Sequence, residues 1–118
     1  MKKVIFYSYP KCSTCRRASK WLDQNNIKYQ FKDIIKEPPK KKYLELALKQ
    51  SLLDIKKIFN TRGKSFKLIG VDIFDLTKKQ IIELLSSDGK LIKRPFLIIN
   101  ENKLLLGFNV SEYSANFK

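Results

Sequence analysis

The hydrophobic positions at the start of the chain change period twice. Residues 3–7 form a short run rich in β-branched and aromatic side chains, which predicts a buried strand. Residues 13–25 carry apolar side chains at three- and four-residue spacing, as a helix does, and residues 27–31 alternate as a second strand does. Because a helix separates the two strands, we expect them to be parallel and joined by a right-handed crossover.

The middle of the chain has a mainly helical pattern. Apolar residues at helical spacing predict a helix that begins near residue 41, after Pro38 and Pro39, and a shorter helix over residues 53–59. A third helix is expected after Thr77, whose hydroxyl suits an N-cap, and it should end near residues 88–89.

The last third of the chain has the pattern of a β-hairpin followed by a helix. Two apolar runs, residues 95–99 and 104–106, are separated by an Asn-Glu-Asn turn. Residues 111–117 predict a terminal helix that begins at Asn109 or Ser111. The order of elements predicts an α/β fold with a four-stranded mixed sheet and flanking helices. With 118 residues we expect one domain, 1–118, with a helical insertion at about 38–90.

Neither membrane insertion nor export is expected from the sequence. No apolar stretch approaches the roughly 20 residues that span a bilayer. The apolar run after Lys2 and Lys3 is too short for the core of a signal peptide. We therefore expect a cytoplasmic protein without membrane contact, in a compartment that keeps thiols reduced.

The charge is strongly basic, with 25 Lys and Arg against 11 acidic residues and a net charge of +14. Such a charge suits an acidic partner or nucleic acid, but it equally fits a solvated surface encoded by an AT-rich genome. Only four basic residues are arginine, the side chain that grips phosphates and bases with paired hydrogen bonds. We therefore expect no direct contact with nucleic acid.

Histidine is absent, which excludes Cys-His catalytic pairs and histidine metal ligands. The only cysteines are Cys12 and Cys15, too few for a four-cysteine metal site within one chain, although two copies could build one. None of the four glycines lies in a phosphate-binding motif. We expect no bound metal or cofactor.

The Cys-Ser-Thr-Cys motif lies between the first predicted strand and the first predicted helix. A helix N-terminus favours a thiolate at Cys12, and Arg16, Arg17 and Lys11 add positive charge nearby. Cys15 follows one turn later on nearly the same face, so the two can form a disulfide in which Cys12 attacks a substrate and Cys15 resolves the mixed species. The alternatives are two inert buried cysteines or ligands of a metal shared between two chains.

Two further arginines lie in short segments near the predicted strands and turns. Arg62 follows the second predicted helix of the middle region, and Arg94 directly precedes the hairpin. Their spacing does not show whether either faces Cys12. The bond before Pro95 is a candidate for a cis peptide.

Four segments together resemble the arsenate reductase and Spx regulator family: Tyr9-Pro10-Lys11-Cys12-Ser13-Thr14-Cys15-Arg16-Arg17, Thr61-Arg62, Lys93-Arg94-Pro95 and Gly107-Phe108-Asn109. The resemblance extends over essentially the whole chain. It implies a thioredoxin-like fold with an inserted helical subdomain and a cis Pro95 opposite the two cysteines.

Two branches of this family imply different activities, and the segments Phe59-Asn60-Thr61, 84–89 and Lys93-Arg94-Pro95 most resemble a third branch, whose members are labelled arsenate-reductase-like. In the reductases one cysteine attacks arsenate and three arginines hold the oxyanion. Cys12 matches that cysteine, and Arg62 and Arg94 match two of the arginines. This chain differs at Gly107, which stands at the third arginine position, and at Cys15, a second cysteine that the reductases usually lack. Spx-type regulators use the cysteine pair as a redox switch on the RNA polymerase α subunit, but this chain lacks the glycine they present between Tyr43 and Arg62.

We therefore expect a thiol–disulfide redox protein with Cys12 as nucleophile and Cys15 as resolving thiol. Arg16, Arg62, Arg94 and Pro95 are the predicted contacts for an oxyanion or a partner. Electrons would come from thioredoxin, glutaredoxin or glutathione, and the protein would act as a monomer on a redox partner or a small oxyanion. The alternative function is a redox-sensing regulator bound to the RNA polymerase α subunit.

Overall fold

The computed structural model describes residues 2–52 and 54–118 and contains four strands and five α-helices within them. The strands are β1 (Val4–Ser8), β2 (Gln30–Asp33), β3 (Phe96–Ile99) and β4 (Lys103–Leu106). The α-helices are α1 (Ser13–Gln24), α2 (Lys41–Gln50), α3 (Lys64–Lys67), α4 (Lys78–Ser87) and α5 (Val110–Phe117). Single turns of 3-10 helix lie at Ile55–Lys57, Ile73–Asp75 and Gly89–Leu91. No helix in these two described ranges has the length and hydrophobicity that crossing a membrane requires.

The sheet is mixed and has the strand order β2-β1-β3-β4. β1 is parallel to β2, as the strand–helix–strand order predicts, and β3 is antiparallel to both β1 and β4. All five residues of the central strand β1 are buried. Ile5 and Tyr7 pack on one face of the sheet, and Val4 and Phe6 pack on the other. The four-stranded mixed sheet predicted from the sequence is confirmed.

One face of the sheet carries α1 and α5, which fix the position of the cysteine motif. Ala18 and Leu22 of α1 are fully buried against this face. Trp21 on the same helix meets Tyr113 of α5 edge to face, with 5.6 Å between ring centroids. Burying aliphatic and aromatic side chains is the main stabilising term of such a layer. The N-terminal end of α1 is thereby held beside the carboxyl end of β1.

The other face is covered by the chain between β2 and β3. α2 and α4 pack side by side, and Leu44, Leu48 and Leu85 are buried there. Thr77 caps α4 with a reciprocal pair of hydrogen bonds to Gln80, as its N-cap prediction requires.

A short antiparallel contact joins the chain after residue 58 to the segment that precedes β3. Phe59 and Ile92 form an isolated β-bridge, Asn60 N–H donates to the Leu91 carbonyl at 2.8 Å, and Lys93 N–H donates to the Ile58 carbonyl at 2.8 Å. Backbone hydrogen bonds of this kind fix two segments that are distant in sequence. The segment after residue 58 is thus held beside the segment that enters β3.

Two predicted elements differ from the structure. The second strand begins at Gln30 rather than at residue 27, because α1 ends in a turn: Asn26 has a φ of 57° and Ile27 N–H donates to the Leu22 carbonyl at 3.0 Å. The helix expected over 53–59 is a single 3-10 turn, Ile55–Lys57, and Leu53 lies outside the described residues. The pattern gave no signal for α3, since that single turn buries none of its residues.

Glu101, in the hairpin turn, ties α2 to the sheet. Its carboxylate accepts from Tyr43 Oη at 2.6 Å and pairs with Lys3 at 2.9 Å, and Lys42 lies 3.6 Å away. The Tyr43 hydroxyl, followed by Lys3 and Lys42, lowers the pKa of Glu101 to about 2. A carboxyl with a depressed folded-state pKa adds stability above its unfolded pKa, and this stability is lost as pH falls through the folded value.

We expect Glu101→Gln to weaken the dependence of the melting temperature on pH in the acid range. The melting temperature of the unsubstituted protein should fall more between pH 5 and pH 2.5 than that of the variant, because only the former protonates Glu101 on unfolding. Glu45→Gln, which changes an exposed glutamate of α2, serves as the control. The prediction would be contradicted if the melting temperatures of Glu101→Gln and the unsubstituted protein fell by the same amount over that pH range.

Candidate functional site

Cys12 is the N-cap residue of α1 and lies where β1 gives way to the helix. Its backbone N–H donates to the Tyr9 carbonyl at 2.9 Å, which closes the turn, and its carbonyl accepts from Arg16 N–H at 3.0 Å. Its sulfur accepts the Cys15 N–H at 3.4 Å, in the position that a serine or aspartate oxygen takes in other helix caps. The half-buried Sγ therefore lies at the positive end of the helix dipole.

The two thiols have different acidities. Burial opposes ionisation of Cys12, but hydrogen bonds from the Cys15 thiol and N–H, the charge of Arg94 and the Thr14 N–H together lower its pKa. Cys15 is only 1 % exposed, and burial raises its pKa to about 11, although the Ser8 hydroxyl works against this. Cys12 is thus suited to be the thiolate, whereas Cys15 stays protonated and supports it as a donor.

Cys12 opens into a cavity of about 520 Å³, called here the Cys12 cavity. Its charged lining comes from three parts of the chain, and it consists of Arg17, Arg62, Lys93 and Arg94. Among the described residues no Asp or Glu lines it, and none of their ion pairs involves an arginine. Guanidinium groups without carboxylate partners beside a helix N-terminus form a site for anions.

Arg94 forms the edge of this cavity next to β3, and the buried Pro95 follows it directly before that strand. The Arg94 guanidinium lies over the Tyr9 ring, 5.5 Å from its centroid, so it is held close to the cysteine motif. The Arg94–Pro95 bond is cis, as the family resemblance implies. Pro95 is buried and does not line the cavity; its carbonyl accepts Gly107 N–H at 2.9 Å and fixes the opposite wall.

The structure brings together three of the predicted site residues and leaves others outside the cavity. Cys12, Arg62 and Arg94 line it, whereas Cys15 lies behind Cys12 in the core. Arg16 does not line the cavity, because its guanidinium points back along the helix and donates to the Pro10 carbonyl at 3.0 Å.

Arg17 and Lys93 line the cavity, although the sequence predicted neither as a contact for an oxyanion or a partner. Arg17 shares a helix face with Thr14, to whose hydroxyl it donates at 3.3 Å, and both lie on the cavity side of α1. The sequence places the charge of Arg17 near Cys12, but the three-residue spacing of Thr14 and Arg17 does not tell which face of α1 meets the cavity. The local sequence does not predict that Lys93 lines the cavity, because its position depends on contacts with residues far away in sequence.

The described part of the chain contains no group of three or more Cys, Asp or Glu side chains arranged to hold a metal ion. The chemistry that its side chains can perform at the Cys12 cavity is nucleophilic attack by a thiolate on an electrophile held by cations.

Comparison with known proteins places this arrangement among related chains. The model of the ArsC family matches residues 7–116. YusI of Bacillus subtilis is 38 % identical over 116 residues, which cover 97 % of this chain and 98 % of YusI. The global transcriptional regulator Spx of Lactiplantibacillus plantarum is 31 % identical over 109 residues, 92 % of this chain and 82 % of Spx.

A solved structure from Streptococcus mutans, described as a possible arsenate reductase, superposes with a TM-score of 0.89. It is 38 % identical, and the match covers 99 % of this chain and all of that one. The expected resemblance to the arsenate reductase and Spx family is thus confirmed, and the fold is thioredoxin-like.

Proposed function

Since the chain belongs to the ArsC family, we propose that it is a thiol–disulfide redox protein that uses Cys12 as its nucleophile and Cys15 as its resolving thiol. One observation carries this proposal: a half-buried cysteine with a lowered pKa faces a cavity whose cations form no ion pair within the described part of the chain, and a buried, protonated cysteine lies one helical turn behind it. An inert structural pair would place both sulfurs in the core.

The proposed reaction transfers two electrons from the cysteine pair to the substrate. The Cys12 thiolate attacks an electrophilic sulfur, an S–S bond forms and the leaving thiolate is released. Cys15 then loses its proton and attacks Cys12 Sγ, which forms the Cys12–Cys15 disulfide and releases the second half of the substrate in reduced form. A dithiol such as thioredoxin or glutaredoxin, or two molecules of glutathione, reduces that disulfide.

The cations of the cavity support a small oxyanion as another electrophile. Arg62 and Arg94 would bind it, and Cys12 would attack its central atom with loss of hydroxide. For arsenate, attack of Cys15 on Cys12 Sγ would then release arsenic in the trivalent state and leave the disulfide. Support comes from the 38 % identity to the possible arsenate reductase of S. mutans.

We test the acidity of Cys12 first, by following its alkylation with iodoacetamide as a function of pH. The expected midpoint lies below the value of about 8.5 that a free thiol has. Cys15→Ala removes the thiol that donates to Cys12. The alkylation rate of Cys12 at pH 6 should therefore fall about fivefold, in line with the loss of one weak hydrogen bond to a charged group. Cys15→Ser keeps a donor and serves as the matched control. An ordinary midpoint in the unsubstituted protein would overturn the proposal.

A redox-sensing regulator is the second candidate function, favoured by relatives named Spx, two of which are 31 % and 33 % identical over 92 % of this chain. Its test uses the C-terminal domain of the α chain of RNA polymerase, which is offered to the reduced and to the oxidised protein in a capture experiment. Binding that changes with the state of Cys12 and Cys15 would support this function. No binding in either state would exclude it.

A further inference from the structure

Lys93 occupies a fixed position at the wall of the Cys12 cavity. Its backbone is held by the hydrogen bond to the Ile58 carbonyl, next to the bridge between Phe59 and Ile92. Its side chain lines the Cys12 cavity and also a neighbouring cavity of about 380 Å³, so it forms the partition between them. None of the ion pairs among the described residues involves Lys93, which leaves its charge available to a ligand.

Gly107 provides the space through which the Lys93 side chain passes. Its φ is +74°, a conformation that glycine adopts without strain. A Cβ at this position would lie 3.0 Å from Lys93 Cε and 3.9 Å from Cδ. Any side chain at residue 107 would therefore displace the end of Lys93, and the bare backbone lets the methylenes lie flat across the wall.

We propose that Lys93, whose side chain passes beside the bare backbone of Gly107, selects anionic oxygen groups for reaction with Cys12 and is a specificity-determining residue of the site. The inference rests on the proposed function, in which Cys12 is the attacking thiolate. Lysine supplies a compact, freely rotating charge with three donors. It therefore complements the planar guanidinium groups of Arg62 and Arg94, and carboxylates and inorganic oxyanions would both be recognised.

The test compares two alkylating agents that differ in charge. Cys12 is alkylated with iodoacetate and with neutral iodoacetamide; in both cases an S–C bond forms and iodide leaves. The ratio of the two rates, located at Cys12 by mass spectrometry, measures the preference for a carboxylate. We expect Lys93→Met to lower this ratio about fivefold, the upper range for one exposed charge pair. The same variant should also weaken the protection of Cys12 against alkylation by added sulfate, which serves as the inorganic oxyanion in this test.

Lys11→Met is the matched control, because it removes an equal charge beside Cys12 but outside the cavity lining. Its ratio should change less than twofold. Gly107→Ala keeps the lysine but displaces it, and it should lower the ratio in the same direction as Lys93→Met. Circular dichroism and the melting temperature verify that each variant is folded.

Each outcome separates this inference from the proposed function. An unchanged rate ratio and unchanged sulfate protection in Lys93→Met, with a low alkylation midpoint for Cys12, would overturn the role of Lys93 alone. A ratio that falls equally in Lys11→Met would also overturn it, since the effect would then come from net charge. A high midpoint in the unsubstituted protein would instead remove the thiolate on which both rest. Loss of carboxylate preference with intact sulfate protection would limit Lys93 to carboxylates and overturn its role for inorganic oxyanions.

Discussion

Cys12→Ser is expected to lose thiol–disulfide exchange by at least about a thousandfold, because Cys15 cannot replace it. A thiol whose pKa is about 11 is ionised in only about one molecule in ten thousand at pH 7. Cys15 is also only 1 % exposed, so a substrate cannot reach its sulfur without local opening of the helix. The measurement is the initial rate of reduction of a small disulfide, with a thioredoxin or glutaredoxin system as electron donor.

Cys15→Ser is the companion variant, and it should fail at a different step. Its Cys12 thiolate still attacks, so one half of the substrate stays attached as a mixed disulfide that intact-mass measurement detects. Multiple turnover then stops unless an external thiol releases the adduct. Equal rates for Cys12→Ser and the unsubstituted protein, or an adduct located on Cys15, would contradict the assigned order of attack.

Gly89→Ala is expected to be the most destabilising small substitution in the fold, at about 3 kcal/mol or more. A Cβ at Gly89 would overlap the Ile34 carbonyl oxygen and lie 2.7 Å from its carbon. Both atoms belong to backbone that cannot move aside, because Ile34 is fully buried and its N–H donates to the Ser8 carbonyl at 3.0 Å. The clash therefore separates the start of the Gly89–Leu91 turn from the end of β2.

Urea denaturation measures this effect, and thermal melting should show a loss of about 10 °C for a domain of this size. Gly70→Ala is the control, since Gly70 has a φ of +78° but no heavy atom within 4 Å of the position that an added Cβ would take. That change should cost only about 1 kcal/mol, the strain of a left-handed alanine. Equal losses for the two variants would mean that the close approach at Gly89 is unimportant.

The local parts of this protein follow from neighbouring residues, and the sequence predicts them. The position of the cysteine motif between a strand and a helix depends on one change of hydrophobic period. The caps at Thr77 and Asn109 depend on side chains within three residues of the helix start. The parallel pairing of β1 and β2 depends on the crossover between them. The position of the motif, the Thr77 cap and the parallel pairing were predicted and are confirmed, and of the two starts left open for α5 the structure has Asn109.

The charge of the site depends on tertiary structure. Arg62 and Arg94 line the same cavity because the Phe59–Ile92 bridge joins segments about thirty residues apart, and no spacing rule encodes such a pairing. Arg16 and Arg17 are neighbours in sequence, yet only Arg17 lines the cavity, because the direction in which each side chain leaves the helix decides this.

The different acidities of the two cysteines were likewise decided by packing. The sequence indicates that a helix N-terminus favours a thiolate at Cys12, since the dipole and the free N–H groups are local features. It does not show that Cys15 is enclosed by the core, and burial is what raises its pKa to about 11. The sequence alone thus determined which residues could react, whereas the tertiary structure decided which thiol is exposed, because burial and long-range charge depend on segments that only folding brings together.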